Sequence, residues 1–236
     1  MRKRAFISGA TSSIGVALAR GLHDEGYELV LHCSTSYEVA NKLAIELGGV
    51  LVQADFTSRE SVDKMLGVLL GGDKFDVVIN NAALSSSEDD KDRQAWERVF
   101  LINTITPALI MANADNLVKD RGVIINISSI YGHERFGFKD MAAYSASKAA
   151  LDSLTRTFAK KLAPRVRVNA IAPGFVDSKW NGDMSNEERQ RFANKHLTGE
   201  LVTTKQVADL AMHMIGNDGI DGEVVYIDGG QTLKTI

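Results

Sequence analysis

The chain has 236 residues, of which 44% are apolar and 24% charged, and its formal net charge is −3. This composition is typical of a globular protein with a sizeable core, and the slightly acidic balance argues against a nucleic-acid-binding surface. Three prolines and no Gly/Ser-rich run leave no evident linker, so we expect a single domain over residues 1–236.

The only cysteine, Cys33, excludes an intrachain disulfide and a cysteine-based zinc cluster, and it suits the reducing cytoplasm. No stretch approaches the roughly 18 apolar residues that a membrane span needs. We therefore expect a cytoplasmic protein with no metal site and no membrane segment.

Short apolar runs alternate with longer helical patterns along the whole chain. Strands are predicted at 4–8, 28–33, 49–53, 76–80, 122–128, 165–170 and 223–227. Helices are predicted at 14–25, 37–47, 58–70, 93–116, 140–162, 186–194 and 204–215. Such alternation predicts an α/β fold with a doubly wound parallel sheet of about seven strands and helices on both faces.

The turn from Gly9 to Gly15 consists of small residues and opens directly into a helix. Backbone N–H groups and the positive end of the helix dipole favour an anion at such a place. The turn matches neither G-x-G-x-x-G nor the Walker A pattern, which disfavours a kinase-type phosphate loop. An ordinary strand-to-helix turn is the alternative.

The second strand ends at Cys33, Ser34 and Thr35, none of which is acidic. In dinucleotide-binding folds a carboxylate at this point bonds the ribose 2′-hydroxyl of NAD. Its absence favours NADP, whose 2′-phosphate the hydroxyls could bind, but no arginine stands there as a clamp, and NAD stays possible.

Polar residues also end the fourth and fifth strands. The run 80–83 (Asn-Asn-Ala-Ala) either lets a ligand approach the backbone or ties two strands together. Asn103 lies inside a helical pattern that Pro107 interrupts. We expect its side-chain amide either to face solvent or to be buried with its hydrogen bonds satisfied. Ser128 and Ser129 stand at a strand's carboxyl end, where ligands of open α/β sheets bind.

Tyr144 and Lys148 are four residues apart on a predicted helix and therefore share one face. A nearby ammonium favours the phenolate, so the tyrosine could exchange a proton nearer neutral pH than its usual pKa of about 10. The spacing alone arises easily by chance, and a surface pair is the alternative. The polar segment 175–200 is predicted to be a mobile flap over the site.

Together these residues resemble the short-chain dehydrogenase/reductases along essentially the whole chain. Residues 8–15 resemble the TGxxxGIG loop, 80–83 resemble NNAG, and 129–132 resemble the SxxG motif of the catalytic serine. Tyr144 with Lys148 resembles YxxxK, and 169–174 resemble the N-A-x-x-P-G run. The resemblance implies a single Rossmann-type domain and an oxidoreductase acting on carbonyl or alcohol groups.

The resemblance also implies roles for individual residues. Tyr144 would exchange the proton with the carbonyl oxygen, and Ser129 would hydrogen-bond that oxygen. Lys148 would bias the tyrosine and hold the nicotinamide ribose, and Asn103 would support a water path to Lys148. The implied cofactor-binding residues are Ser8, Gly9, Thr11, Ser12, Ser13, Ile14, Gly15, Cys33, Ser34, Thr35, Asp55, Phe56, Asn81, Ala82, Ala83, Tyr144, Lys148, Pro173, Gly174 and Val176.

Some positions depart from the family pattern. Ser13 and Ala83 replace glycines, no cofactor-discriminating arginine is present, and the interval from Ser129 to Tyr144 is about two residues longer than expected. Ser128 is the alternative catalytic serine if the register differs.

The overall pattern is most similar to the 3-oxoacyl-[acyl-carrier-protein] reductases. This likeness implies an acyl-thioester or other small carbonyl substrate and a homotetramer or homodimer, while the end of the second strand favours NADP(H) over NAD(H). The alternative is a catalytically weak, NADP-binding regulatory protein of the same fold.

Overall fold

In the computed structural model, residues 2–85, 90–133, 140–178 and 184–234 are described. The strands are Arg4–Ile7 (β1), Glu28–Cys33 (β2), Val50–Gln53 (β3), Phe75–Asn80 (β4), Val118–Ile127 (β5), Val166–Pro173 (β6), Val176–Asp177 (β7), Val202–Thr203 (β8) and Val224–Ile227 (β9). The helices are Ser13–Asp24 (α1), Tyr37–Leu47 (α2), Arg59–Leu70 (α3), Arg93–Phe100 (α4), Thr106–Ala112 (α5), Ala114–Leu117 (α6), Ala142–Leu162 (α7), Asn186–Ala193 (α8) and Thr204–Gly216 (α9).

Seven of these strands form one parallel sheet in the order β3-β2-β1-β4-β5-β6-β9. The order reverses between β1 and β4, because the chain first builds outward through β2 and β3 and then returns to the other side of β1. A crevice opens at the carboxyl ends of strands at such a reversal, and ligands of doubly wound sheets bind there. The predicted fold class is confirmed.

Apolar side chains fill both faces of the sheet. Successive residues of a strand point to opposite faces, so Ile7 joins the cluster under α1, α2 and α9, while Phe6 joins the one under α3, α5 and α7. Both side chains are fully buried. Burial on two sides explains why these strands are continuous apolar runs without polar alternation. Among the described helices, none combines the length and apolar character that a bilayer crossing requires.

The structure differs from the predicted elements in three places. The predicted helix 93–116 is broken by a π-helical turn, Leu101–Ile105, where Pro107 lacks the N–H that would bond the carbonyl of Asn103. Strand β5 begins four residues earlier than predicted, because Val118 pairs with Phe75 before a register shift. The strands β7 and β8 form a separate parallel pair. Each has only two residues, which is too short for hydrophobic alternation to predict a strand.

Candidate active site

A cavity of about 710 Å³ occupies the crevice at the carboxyl edge of the sheet. It extends from the β1–α1 turn to the end of β6 and includes the ends of β2, β4 and β5. Most of the residues expected to bind cofactor or substrate line it: Gly9, Thr11, Ser12, Ser13, Ile14, Ser34, Thr35, Asp55, Phe56, Asn81, Ala82, Ala83, Ser129, Tyr144, Lys148, Pro173, Gly174 and Val176. Ser8, Gly15, Cys33 and Asn103 do not line it.

The β1–α1 turn is built to bring backbone close to a ligand. Gly9 has φ +64°, and a Cβ there would lie 2.7 Å from the Cα of Ala82. A Cβ on Gly15 would lie 2.4 Å from the carbonyl oxygen of Gly9. The Ser12 hydroxyl accepts the Gly15 N–H at 3.0 Å and caps α1, whose first turn contains no acidic residue. A tight turn at an uncharged helix N-terminus fits the pyrophosphate of a dinucleotide.

Side chains just behind this turn hold it against β4. The Ser8 hydroxyl accepts the backbone N–H groups of Asn81 and Ala82, each at 3.0 Å. The Asn81 amide donates to the Ser8 and Gly9 carbonyls and to the Ser12 hydroxyl. One strand residue earlier, the Asn80 amide donates to Asn126 of β5 at 2.8 Å. Both amides therefore tie segments together, and Asn81 also faces the cavity.

At the end of β2, the residues after the strand face the cavity and the last strand residue does not. Cys33 is 1% exposed, and burial raises the pKa of its thiol. The Cys33 side chain is therefore buried in the core and does not line the cavity, and its contact with the cofactor stays a prediction. Ser34, Thr35 and Ser36 line the cavity. Ser36 precedes α2 without a side-chain capping bond, which leaves its hydroxyl available to a ligand.

Asp55 lies after β3 at the same end of the cavity. Its Oδ1 accepts the backbone N–H and the hydroxyl of Thr57 at 2.8 and 2.7 Å, and its own N–H donates to Ser61. These bonds fix the carboxylate while leaving it exposed. Phe56 is buried next to it and contributes an apolar wall. The pair suits a flat heteroaromatic ring with an amino edge.

Tyr144 and Lys148 lie one above the other on α7. The Lys148 Nζ is 5.6 Å from the centre of the Tyr144 ring and donates to the carbonyl of Ile127 at 2.7 Å. Lys148 is 1% exposed, and this burial lowers its pKa to about 8, while the negative charge of Asp152 acts in the opposite direction. The pair is therefore an internal feature of the fold and not a surface pair.

The protein's own groups do not lower the pKa of the tyrosine as expected. Burial is the main reason why the pKa of Tyr144 is raised to about 12; the hydrogen bond with the Ser129 hydroxyl acts against this rise, and nearby Tyr131 adds to it. Desolvation penalises the phenolate more than the available donors favour it. Tyr144 is thus held as a neutral phenol beside Ser129.

The two serines at the end of β5 are distinguished by their contacts. Ser129 hydrogen-bonds Tyr144, and its hydroxyl also accepts the N–H of Tyr131 at 3.3 Å. Ser128 is 3% exposed and lies beside Asp152, deeper than Ser129. This geometry favours Ser129 over Ser128 as the serine that meets a substrate oxygen.

Asn103 is a fully buried, satisfied amide at the π-helical turn. Its Oδ1 accepts the N–H of Leu84 at 2.8 Å, and its Nδ2 donates to the Leu84 carbonyl and the Ser147 hydroxyl at 2.9 and 3.0 Å. The side chain joins the segment after β4 to α7, one residue before Lys148. Its side chain is fully engaged there, so any support for a water path would come from its backbone.

A family model described as enoyl-(acyl-carrier-protein) reductase matches residues 9–232. The chain belongs to the short-chain dehydrogenase/reductase family. Members of this family are oxidoreductases that use NAD(P)(H) as the hydride carrier. The glycine turn, the strand-end serine and the Tyr144–Lys148 pair line one cavity of this oxidoreductase.

Two curated relatives and one solved structure illustrate the range of this short-chain dehydrogenase/reductase's similarities. The chain is 32% identical to 3beta-hydroxysteroid dehydrogenase 1 of Eggerthella lenta, over 98% of this chain and 94% of the relative. It is 30% identical to 3-oxoacyl-[acyl-carrier-protein] reductase FabG of Aquifex aeolicus, over 97% and 96%. The crystal structure of the angucycline C-6 ketoreductase LanV with bound NADP matches with a TM-score of 0.89, at 26% identity and over 98% and 96% of the two chains.

Sequence reasoning missed several cavity residues of this oxidoreductase. At the far end from the glycine turn these are mostly apolar or aromatic: Leu84, Ile102, Tyr131, Met141 and Phe175. No short motif marks them, and only their positions after strand ends could have suggested them. His32 of β2 is a further missed residue, because a single polar residue in an apolar strand gives no motif.

Proposed function

We propose that this short-chain dehydrogenase/reductase transfers a hydride between NADP(H) and a carbonyl or alcohol substrate, most similar to a 3-oxoacyl thioester. The observation that carries the proposal is the hydrogen bond between Ser129 and Tyr144, above a buried Lys148, in the same cavity as the glycine turn. A carbonyl oxygen placed between the serine hydroxyl and the phenol would accept a hydrogen bond from each.

In this proposal Tyr144 is the proton donor in the reducing direction. A neutral phenol is the required form, and the raised pKa of about 12 keeps Tyr144 protonated throughout the physiological range. A substrate alkoxide is a stronger base than a phenolate, so the proton still moves downhill as charge develops on the oxygen. The bound dinucleotide supplies the hydride.

Lys148 then has two tasks. Its ammonium stabilises the phenolate left on Tyr144, and its position in the cavity lets it hold a ribose hydroxyl. With a pKa of about 8 the amine can also lose and regain a proton near neutral pH. Asn103 supports this part of the site by fixing the backbone next to Ser147, and Pro107 cannot donate to its carbonyl, which favours a water path there.

The preference for NADP(H) over NAD(H) rests on the β2–α2 turn. Ser34, Thr35 and Ser36 line the cavity with three hydroxyls and no carboxylate. An acidic side chain here would bond the NAD ribose and repel a 2′-phosphate, whereas hydroxyl donors bind the phosphate. The turn lacks an arginine, so we expect a preference and not an absolute requirement.

The substrate end of the cavity favours an acyl chain over a strongly charged molecule. Leu84, Ile102, Met141 and Phe175 supply apolar surface, and the Tyr131 ring lies edge-on to Tyr144 with 5.5 Å between the ring centres. The flap at 175–200, whose residues 179–183 lie outside the described residues, would cover this end. Phe175, the first residue of the flap, packs on Phe192 of α8 with 4.6 Å between the ring centres. The flap therefore supplies part of the cavity wall.

The domain assignment, 1–236 as one oxidoreductase unit, remains part of the proposal. Assembly as a homotetramer or homodimer and a cytoplasmic location also stay predictions, and we expect neither a nucleic-acid nor a membrane partner. Size-exclusion chromatography with light scattering would measure the assembly directly.

The test mixes the protein with NADPH and an acetoacetyl thioester and follows NADPH absorbance. Wild type should oxidise NADPH, and Tyr144→Phe should lower kcat at least about 100-fold while NADPH affinity stays within about twofold. Tyr27→Phe is the matched control, because Tyr27 is a buried phenol in the core away from the cavity.

Two outcomes would contradict the proposal. Comparable turnover in Tyr144→Phe would refute the proton-transfer role. Tight NADPH binding without oxidation, for the thioester and for a broad carbonyl panel, would favour the regulatory alternative.

A further inference from the structure

His32 occupies an unusual place for a polar side chain. It is the fifth residue of β2, is 2% exposed, and lies between the glycine turn and the end of β3. Its Nδ1 is 3.1 Å from the backbone nitrogen of Gly9, and its Nε2 is 3.0 Å from the carbonyl oxygen of Ala54. Its own carbonyl accepts the N–H of Ala10 at 2.9 Å.

These contacts admit one protonation state of the ring. The backbone nitrogen of Gly9 can only donate, so Nδ1 must present a lone pair. The Ala54 carbonyl can only accept, so Nε2 must carry the hydrogen. The ring is therefore a neutral imidazole in a single tautomer, and its low pKa of about 4, caused by burial, agrees with this geometry.

The face of the imidazole makes a third connection. It stacks on Phe56 with 4.3 Å between ring centres and an angle of 16°. Phe56 and Gly9 belong to opposite parts of the dinucleotide site, the wall beside Asp55 and the turn that suits the pyrophosphate. One side chain thus fixes the spacing between these two parts, and its ring edge also reaches the cavity.

The imidazole is the acceptor for the Gly9 N–H. The flanking Ser8 and Ala10 donate their own N–H groups to backbone carbonyls of β4 and β2. Without the imidazole the half-buried Gly9 would lose the bond that holds the turn against β2, which costs the turn its fixed position.

We propose that His32 is a cofactor-positioning residue, whose neutral imidazole holds the glycine turn at Gly9 and the wall at Phe56 at the separation that NADP(H) requires. It takes no part in hydride or proton transfer. The proposal rests on dinucleotide binding by this family and not on the identity of the carbonyl substrate, so it can be tested even if the thioester assignment fails.

Two substitutions separate the ring from its hydrogen bonds. His32→Phe keeps a stacked ring but removes both bonds, and His32→Gln keeps one acceptor and one donor without the ring. Asn169→Leu is the matched control. Asn169 is also fully buried, lies in the middle of β6, and holds the α9–β9 connection through the Ile220 carbonyl and the Glu223 N–H, outside the cavity lining.

NADPH affinity is measured by the fluorescence of the bound cofactor, and kcat and KM are measured separately with any accepted carbonyl substrate. His32→Phe should weaken NADPH binding about 10-fold and raise the KM for NADPH similarly, with kcat at saturating NADPH within about twofold. His32→Gln should bind more tightly than His32→Phe. Asn169→Leu should lose stability but keep the wild-type affinity.

The proposal would be overturned if His32→Phe bound NADPH as tightly as wild type, or if Asn169→Leu lost as much affinity. A fall in kcat at unchanged KM would equally contradict it. If neither His32 variant folds, side-chain nitrogen NMR of the wild type decides instead. A protonated Nδ1, or an Nδ1 resonance that NADPH leaves unmoved, would refute the assigned role.

Discussion

Acidification should destabilise this protein through His32 by an amount that the structure sets. Burial lowers the pKa of His32 from 6.5 to about 4. The pKa of His32 is lower in the folded than in the unfolded chain. The neutral imidazole therefore does not reduce the free energy of unfolding above about pH 6.5, and this free energy falls as the pH decreases toward about 4. At about pH 5 an unfolded imidazole is almost fully protonated, whereas the folded one is about one-tenth protonated. The proton-binding polynomial of the unfolded chain exceeds that of the folded chain by a factor of roughly 30, which lowers the free energy of unfolding by about 2 kcal/mol.

The measurement is urea unfolding, followed by far-ultraviolet circular dichroism, at about pH 7.5 and about pH 5. Wild type and His32→Gln are compared at one protein concentration. Between the two pH values the wild type should lose about 2 kcal/mol more unfolding free energy than the variant. Other titrating groups, including the buried His196, occur in both proteins and cancel in the subtraction.

Equal losses in the two proteins would refute the reasoning, because they would mean that His32 titrates alike in the folded and unfolded chains. A larger loss in the variant would show that the imidazole is charged in the folded protein. That result would also contradict the tautomer inferred from its contacts.

Three further predictions concern the cavity. Gly9→Ala should lower the free energy of unfolding by at least about 1 kcal/mol and abolish measurable NADPH binding. The left-handed backbone and the crowded Cβ position at Gly9 oppose any side chain. A fluorescence titration that gives the wild-type NADPH affinity would contradict this prediction. The negative charge of Asp152 raises the pKa of Lys148. Asp152→Asn should therefore move the alkaline limb of the pH profile of kcat to lower pH. A shift of this limb to higher pH would contradict the coupling. Ser34→Asp should shift the cofactor preference from NADPH toward NADH in competition assays, because Ser34 lines the cavity. Cys33→Asp should mainly destabilise the protein, because the Cys33 side chain is buried. An unchanged cofactor preference in Ser34→Asp would refute the assignment of the β2–α2 turn to the 2′-phosphate.

The sequence was sufficient where a side chain's direction follows from helix or strand periodicity. The four-residue spacing of Tyr144 and Lys148 put both on one face of α7, and the strand ends placed Ser129 and Asn81 at the same edge of the sheet. Two-residue periodicity alone did not show that Cys33 points into the core, since both faces of β2 are covered. The side chains that line the cavity at this point come from the following turn.

Other features depend on contacts that no local pattern encodes. The importance of His32 comes from backbone groups 22 and 23 residues away in sequence, so it reads as an isolated polar residue in an apolar strand. The pKa of Tyr144 cannot be read from its sequence spacing for the same reason. The spacing reveals the neighbouring lysine but not the depth of burial, and burial has the larger effect.

The packing of Gly132 on α7 has a consequence for how this site can diversify. A Cβ on Gly132 would lie 2.7 Å from the backbone carbon of Lys148, so the short turn after Ser129 rests directly on the helix that carries the tyrosine. The register between serine and tyrosine is therefore set by this direct contact and not by the length of the chain between them. A change of chain length after Gly132 should therefore leave Ser129 and Tyr144 aligned, so this site can diversify there without losing that alignment.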